Sequence, residues 1–562
     1  MPQKDEQFIA KRLDTSQKRI LYSTVQFLNI DILIQSFTPL STQMNKNSSI
    51  PDQRAPYPAL RSERPTLPWR RAAAVSAAVL AAALMAGCAS FTDLGARAEP
   101  KSIDHYQSSQ TLAATGVQSA WPNDQWWTVY GDAQLNALIA EALQSAPSMA
   151  VAKARLMKAE GTAQQQGAAL YPQVSGNASL DRMKQSYNNG VPPDFVPKGY
   201  NNESRTTLDF SYEIDFWGKN RAALAAATSE LEASRADAAQ ARITLATSIA
   251  SAYADLAQLY AQRDTNAAAL KVREETLDLF NQRFTNGLET RGSVKQMEAR
   301  RAIAQADLKA TDESIALQRN KLAALAGAGP DRGLQLARPQ IDLSKPFGLP
   351  AQLPVELLGR RPDIVAARLR AEAAGKQIKV ARAAFYPNVN LSAYFGFQSL
   401  GIDMLTRSGS DIGSFGPAIS LPIFNGGRVR GQFRSASASY DEAVANYDQA
   451  VTQALQDVAD VGVSEKALAG RLQDVQAAAD AAEEAYRIVS NRYNGGLNTY
   501  LDVLNAQDTL ISNLRQLSDL RSRLFTLDVA LVRALGGGYR AAGDSKSQDS
   551  ATAPHTEQQA KG

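Results

Sequence analysis

At 562 residues the chain is long enough for several domains, yet 44% of it is hydrophobic and only 7% aromatic, a composition of long packed helices rather than of a mixed globular core. The formal charge of +4 is misleading: residues 1–87 hold 11 of the 60 basic and 6 of the 56 acidic side chains, leaving 49 basic against 50 acidic from Cys88 onward. A near-neutral body excludes a basic nucleic-acid face, and a single cysteine excludes an intramolecular disulfide.

Residues 1–43 fit no secretory logic and read as a gene-start extension, with Met44 the better start; Ile20–Ile34 is too short and polar to span a bilayer. Arg70 and Arg71 precede an apolar run, Ala72 to Met85, that ends in Leu84-Met85-Ala86-Gly87-Cys88. The run is shorter than the roughly 18 residues of a spanning helix, so residues 44–87 read as a signal peptide. Small residues before the sole cysteine make this a bacterial lipobox with Cys88 as the lipidated first residue, although Met85 stands where Leu is usual; the bland alternative is a cysteine beside an ordinary cleavage site. Ala89 in place of Asp favours passage to the outer membrane. Residues 88–120 are polar and aperiodic, a tether.

Trp126-Trp127 and Tyr130-Gly131-Asp132 lead into Leu135, Leu138, Ile139, Ala142 and Leu143, the spacing of an amphipathic helix. The tryptophans suit either a membrane girdle or packing against helices. A helical pattern from Ala150 to Gly167 follows Pro147, and Pro362 opens its counterpart in the second half. The period then changes to two. Val174–Asp181 and Thr206–Asp215 form the first strand pair, with Leu208, Phe210, Tyr212 and Ile214 on one face and Asp209, Ser211, Glu213 and Asp215 on the other. Val389–Phe397 and a shorter run at Ile419, Leu421 and Ile423 form the second. Long helices follow, from about Asn220 to Arg283 and Val429 to Arg492, each about 95 Å. Leu224, Leu231, Ala238, Leu245, Ala252 and Leu259 recur every seven residues, a coiled-coil seam.

Each long helix ends in the same turn: Arg283-Phe284-Thr285-Asn286-Gly287-Leu288 matches Arg492-Tyr493-Asn494-Gly495-Gly496-Leu497 at a shift of 209 positions. Tyr171-Pro172 recurs as Tyr386-Pro387, so the chain is two copies of one unit, a period too long for a solenoid. Strands of about ten residues with one apolar and one polar face suit a water-filled membrane barrel. Four strands cannot close one, and lipid tolerates no open edge, so the chain must oligomerise. His105 and His555 are the only histidines and lie in terminal segments, and there is no Cys-x-x-Cys, Walker loop or Gly-x-Ser-x-Gly elbow. The sequence points to no enzyme, cofactor or metal.

Together Trp126-Trp127, Tyr130-Gly131-Asp132, Arg360-Arg361-Pro362-Asp363-Ile364, Tyr386-Pro387, Leu421 to Gly427 and Arg492 to Leu504 resemble the TolC-like outer-membrane efflux proteins. The likeness spans about Ala120 to Gly538 and is strongest to the lipoprotein (NodT-type) branch serving resistance-nodulation-division pumps. It implies a mainly α fold: antiparallel coiled-coil helices in a trimeric α-barrel, continued by a 12-stranded outer-membrane β-barrel with four strands per subunit. It divides the mature chain into efflux repeats at 121–338 and 339–538 and a tail at 539–562. It also implies a homotrimer docked to a periplasmic membrane-fusion adaptor and an inner-membrane pump, with a passive channel embedded in outer-membrane lipid. The turn would be the narrow periplasmic end, with Tyr493, Asp502 and Asn505 as gate positions; Asn505 departs from a family that often has a second Asp there. Asp502 has a second reading, because Thr499-x-x-Asp502 resembles a capping box, with Ser293-x-x-Gln296 at the equivalent place. Same-fold channels for type I protein secretion or metal-cation export, and a structural coiled-coil lipoprotein, are the alternatives.

Overall fold

The computed structural model describes residues 97–107, 120–341, 347, 350 and 353–541; Cys88, His555, the leader and the tail lie outside them. Helices α1 (Ala133–Ser145) and α2 (Pro147–Ala168) precede strands β1 (Gln173–Met183) and β2 (Asn201–Glu213). A hairpin follows, α3 (Lys219–Thr285) and α4 (Arg291–Leu325), then two short helices, α5 (Asp331–Leu334) and α6 (Leu353–Arg360). The second half repeats the plan: α7 (Pro362–Ala383), β3 (Asn388–Leu400), β4 (Asp411–Ser420), then α8 (Arg428–Asn494) and α9 (Tyr500–Ala534). The hairpins match to the residue, 67 and 35 in each half, so each long helix extends roughly 100 Å.

Both long helices start after a left-handed glycine, Gly218 at φ 72° and Gly427 at φ 87°, a backbone that costs a side-chain-free residue little. Asp215 accepts from the Asn220 and Arg221 N–H groups at 3.2 and 2.9 Å. That corrects its expected place on a strand face: β2 ends at Glu213, and Asp215 serves the free N–H groups of α3. The last strand also differs from expectation, because β4 runs Asp411–Ser420 and leaves Leu421 and Ile423 beyond its end. Gly413, Gly416 and Pro417 weaken its strand signal, and Pro422, lacking an N–H, stops it.

The every-seventh line of α3 is only partly its seam. Leu245 and Ala252 are buried, but Leu224, Leu231 and Ala238 are half-buried, while Ala226, Ala233, Ala236 and Ile243 lie deeper. Alpha-3 packs against α2 and α7 as well as its hairpin partner, so its upper half is covered on more than one side. The main core gathers Trp126, Trp127, Tyr130, Leu135 and Ile139 against Ile249 and Tyr253 of α3 and Phe525 and Val529 of α9. Trp126 is 1% exposed, which decides for helix packing and against a tryptophan girdle. Tyr130 Oη donates to Asp528 at 2.7 Å, and Tyr253 Oη donates to Asp132 at 2.8 Å. Burial pushes Asp528 up to about 6, although the Tyr130 and Phe347 donors pull the other way.

The Arg-Arg-Pro-Asp-Ile stretch is a junction. Pro362 opens α7, and the buried Arg361 bridges Asp363 at 2.7 Å, Asp457 at 2.9 Å and the Ala534 carbonyl at 3.3 Å, tying α7, α8 and α9. The tether residues 97–107 are pinned rather than free: the Ala98 and Lys101 N–H groups donate to Asp441 and Asp448 of α8 at 3.2 and 3.1 Å. Ile103 and Tyr106 pack beside Ile364, Tyr447 and Val451. His105 closes a short helical turn in that pinned stretch.

Candidate functional site

Among the described residues no helix is long and apolar enough to cross a membrane; the sheet is. Its strands run β1-β2-β3-β4, all antiparallel, with β2 joining the two repeats through β3. The register places Leu208 beside Gly176 and Phe395, Phe210 beside Val174 and Ala393, and Ala393 beside Phe415. Side chains alternate across a strand, so Val174, Leu180, Leu208, Phe210, Tyr212, Phe395, Phe415 and Ile419 share one face. Most are largely exposed: Phe415 76%, Ile419 71%, Leu208 60%. An apolar face this large left bare requires a cover.

The opposite face is polar. Asp209 accepts from Asn177 Nδ2 and Thr207 Oγ1 at 2.8 Å each, Arg205 lies 5.2 Å over the Tyr394 ring, and Gln398 donates to Glu203. At the helical end of the sheet, Trp217 stacks on Tyr386 at 4.5 Å and donates to the Pro387 carbonyl at 2.8 Å, and Ile423 and Phe424, just past the end of β4, are exposed. At the far end Phe195 and Tyr200 are exposed. Two rims flanking an apolar band match a membrane barrel. Strands β1 and β4 are the edges, paired on one side only, and only strands of further copies can satisfy them within lipid.

The other end of the molecule holds the two hairpin turns, superposable in their bonding. Gly287 and Gly496 both have φ 73°, and the Leu288 and Leu497 N–H groups donate to the Arg283 and Arg492 carbonyls at 2.8 Å each, the Schellman closure of a helix end. Thr499 caps α9 with its hydroxyl, and Asp502 Oδ2 accepts from the Thr499 N–H at 2.9 Å and hydroxyl at 2.7 Å. The capping box is therefore formed, and the Thr499 hydroxyl and N–H hold the Asp502 carboxyl below its usual range. In the first half the cap is Thr290, bonded to the Ser293 N–H at 3.1 Å. This corrects the Ser293-x-x-Gln296 expectation by three positions, since Thr290, not Ser293, has the extended backbone of an N-cap.

Asp502 and Asn505 are exposed one turn apart on α9. Tyr493 sits on α8 and turns toward the first repeat: its hydroxyl accepts from Arg283 Nη1 at 3.2 Å, and its ring stacks edge-on with Tyr500, which packs in turn on Phe280. Arg283 is braced by Glu289 at 3.8 Å. Farther up, Asp508 of α9 is held between Arg273 of α3 and Arg300 of α4. Sequence reasoning placed Arg283 in the first turn but missed its contact with Tyr493. The repeat shows an Arg-aromatic pair at both tips, Arg283-Phe284 and Arg492-Tyr493, but not that Arg283 meets the other tip's tyrosine.

A four-stranded sheet with one lipid-compatible face, open edges and a long helical stalk defines a membrane-spanning channel subunit that closes only as an oligomer. The chain belongs to the outer membrane efflux protein family, whose model matches residues 138–328 and 353–537. It is 37% identical over 368 residues to fusaric acid resistance protein FusA of Burkholderia cepacia, covering 64% of this chain and 69% of that one. Multidrug resistance outer membrane protein MdtP of Escherichia coli is 30% identical over 435 residues, 76% of this chain and 88% of its own. Among solved structures, outer membrane protein VceC of Vibrio cholerae is 50% identical, with TM-score 0.70 over 75% of this chain and 100% of that one. The chain is an outer-membrane channel of an efflux system, a TolC-like fold of α-barrel and β-barrel. Members of the family are trimeric channel proteins that act with adaptors and inner-membrane pumps.

Proposed function

We propose that this chain is the lipid-anchored outer-membrane duct of a tripartite pump of the resistance-nodulation-division class. Three copies conduct drugs or other small molecules passively from a periplasmic membrane-fusion adaptor to the exterior, and Tyr493, Asp502 and Asn505 gate the periplasmic end. The sequence carries no nucleotide or ion-coupling motif, so the inner-membrane pump supplies the energy. The fusaric acid resistance named for FusA and the multidrug resistance named for MdtP support a small-molecule cargo, and the lipobox at Cys88 supports the anchor.

The observation that carries the gate is the Arg283–Tyr493 contact, which ties the α8 tip to the first hairpin, while Asp502 in the first turn of α9 is exposed and free of any described basic partner. In a trimer three such carboxylates ring the constriction. Two unit charges 4 Å apart interact by roughly 1 kcal/mol in water and roughly 4 at an effective dielectric of 20, enough to set ion preference without a large stability cost. Asn505 leaves the ring weaker than one with a second Asp.

Capping and gating make different demands on one experiment. Asp502→Ala with Tyr493→Phe raises single-channel conductance in planar bilayers and lowers cation preference if the site is a gate; Arg283→Ala raises conductance alone. Lower thermal stability with unchanged conductance leaves Asp502 only its cap. The anchor is tested separately: Cys88→Ser abolishes palmitate incorporation while the barrel retains part of the protein in the membrane, and palmitate still entering the variant refutes the lipobox.

A further inference from the structure

We propose that an acyl chain carried by Cys88 lies in a groove on the lipid face of its own subunit's sheet, an inference that rests on the lipoprotein reading above. The groove, about 440 Å³, is lined by Tyr394 and Ser414, a cross-strand pair of the polar face, and by six further residues, Leu208, Phe210, Ala393, Phe395, Gly413 and Phe415. By register these six belong to the apolar face, and alanine and glycine leave depth between the three phenylalanines. A Cβ on Gly413 would meet the Tyr394 carbonyl at 3.4 Å and the Phe395 ring at 3.9 Å, so the cleft is open to filling by a side chain without backbone strain.

Bulk lipid is the generic occupant of such a cleft; the course of the tether favours the chain's own lipid. Ala98 bonds Asp441 and Lys101 bonds Asp448, so the tether runs along α8 with its N-terminal end toward the start of that helix, where β4 ends. Asp441 lies 13 residues along α8 from Arg428, about 20 Å. Cys88 lies ten residues before Ala98, at most about 33–36 Å of chain. A chain of that length is long enough to bring the sulfur to the rim beside Ser420 and too short to bring it to the outer leaflet. Phe415 is five residues up β4 from Ser420, about 17 Å along the strand, or roughly 12 Å of depth at a 45° tilt. Acyl chains of one leaflet reach through half of a core about 30 Å thick. The groove thus lies in the depth range, the leaflet and the subunit that the anchor addresses.

The test uses full-length protein from cells fed a palmitate analogue bearing a diazirine, irradiated in the membrane, purified as the oligomer and mapped by mass spectrometry. The expected product is the Cys88 peptide joined through its acyl chain to peptides containing Ala393–Phe395 or Gly413–Phe415. Gly413→Leu, which fills the cleft, reduces that product severalfold while acylation is unchanged; Ala393→Val serves if Gly413→Leu does not assemble. Acylated Cys88 whose cross-links fall on other strands, or groove peptides joined only to phospholipid, overturn the proposal and leave the lipoprotein reading standing. A Cys88 peptide without any acyl group overturns both.

Discussion

Leu208 gives the sharpest test of which face meets lipid. It is 60% exposed and adjoins Thr207, the central residue of the 13-residue β2, so it lies at the middle of the band. On a water-facing sheet, Leu208→Arg would be a surface change within about 0.5 kcal/mol of neutral. At a bilayer midplane an outward Arg costs about 2–4 kcal/mol, and three symmetric copies multiply this to roughly 6–12 kcal/mol per trimer. Ser211 lies on the polar face of the same strand and is exposed, so Ser211→Arg meets water and changes stability little. Urea titration of folding into lipid vesicles, read by heat-dependent gel migration of the trimer, separates the two. Leu208→Arg folding as well as the parent protein, or Ser211→Arg costing as much, would refute the assignment of faces.

Phe210→Arg, three residues from the helical end of β2, is expected to cost less than Leu208→Arg by the same titration, because the penalty falls toward the interface. Gly396→Ala abolishes the heat-stable trimer, since its Cβ would lie 2.0 Å from the Thr206 carbonyl and force β2 and β3 apart, whereas Gly416→Ala, with nothing within 4 Å, leaves gel migration unchanged. Arg361→Ala strips the bridge from Asp363 and Asp457 and lowers stability by about 2–3 kcal/mol in thermal melts, below the usual figure for a broken buried pair because both carboxylates are about one-third exposed. Asp528 has a folded pKa of about 6 against a usual 3.8. The folded state therefore binds the extra proton between those values, and stability from this group falls as pH rises through that window. Asp528→Asn removes this group's share of the slope, leaving that of the half-buried Glu465, which burial and the Asp528 charge raise to about 7, and gains on the parent protein by on the order of 2–3 kcal/mol between pH 4 and 7; melts whose difference is flat over that range would refute it.

Local periodicity carried much of this protein. A period of two placed Leu208, Phe210 and Tyr212 opposite Asp209 and Glu213, and a helical period with glycine stops delimited the long helices to within two residues, because each signal arises from neighbours in the chain. The duplication was equally legible, down to turns with the same bonding at Gly287 and Gly496. The turn that holds Tyr493 could be read from the repeat, while Asp502 and Asn505 came from the family resemblance; the roles of all three are the proposal above. Where the backbone signal was weak, tertiary structure decided. Beta-4 carries glycines and a proline that local preference reads as a break, and only pairing with β3 makes it a strand. Whether Trp126 faced lipid or core, whether Asp215 lined a face or capped a helix, and whether Ser293 or Thr290 capped α4 depended on neighbours far apart in sequence or on the backbone angle of one residue. Arg283 meets Tyr493 across 210 positions, and since both tips offer an arginine and an aromatic ring, only the packing of one hairpin on the other selects that pair.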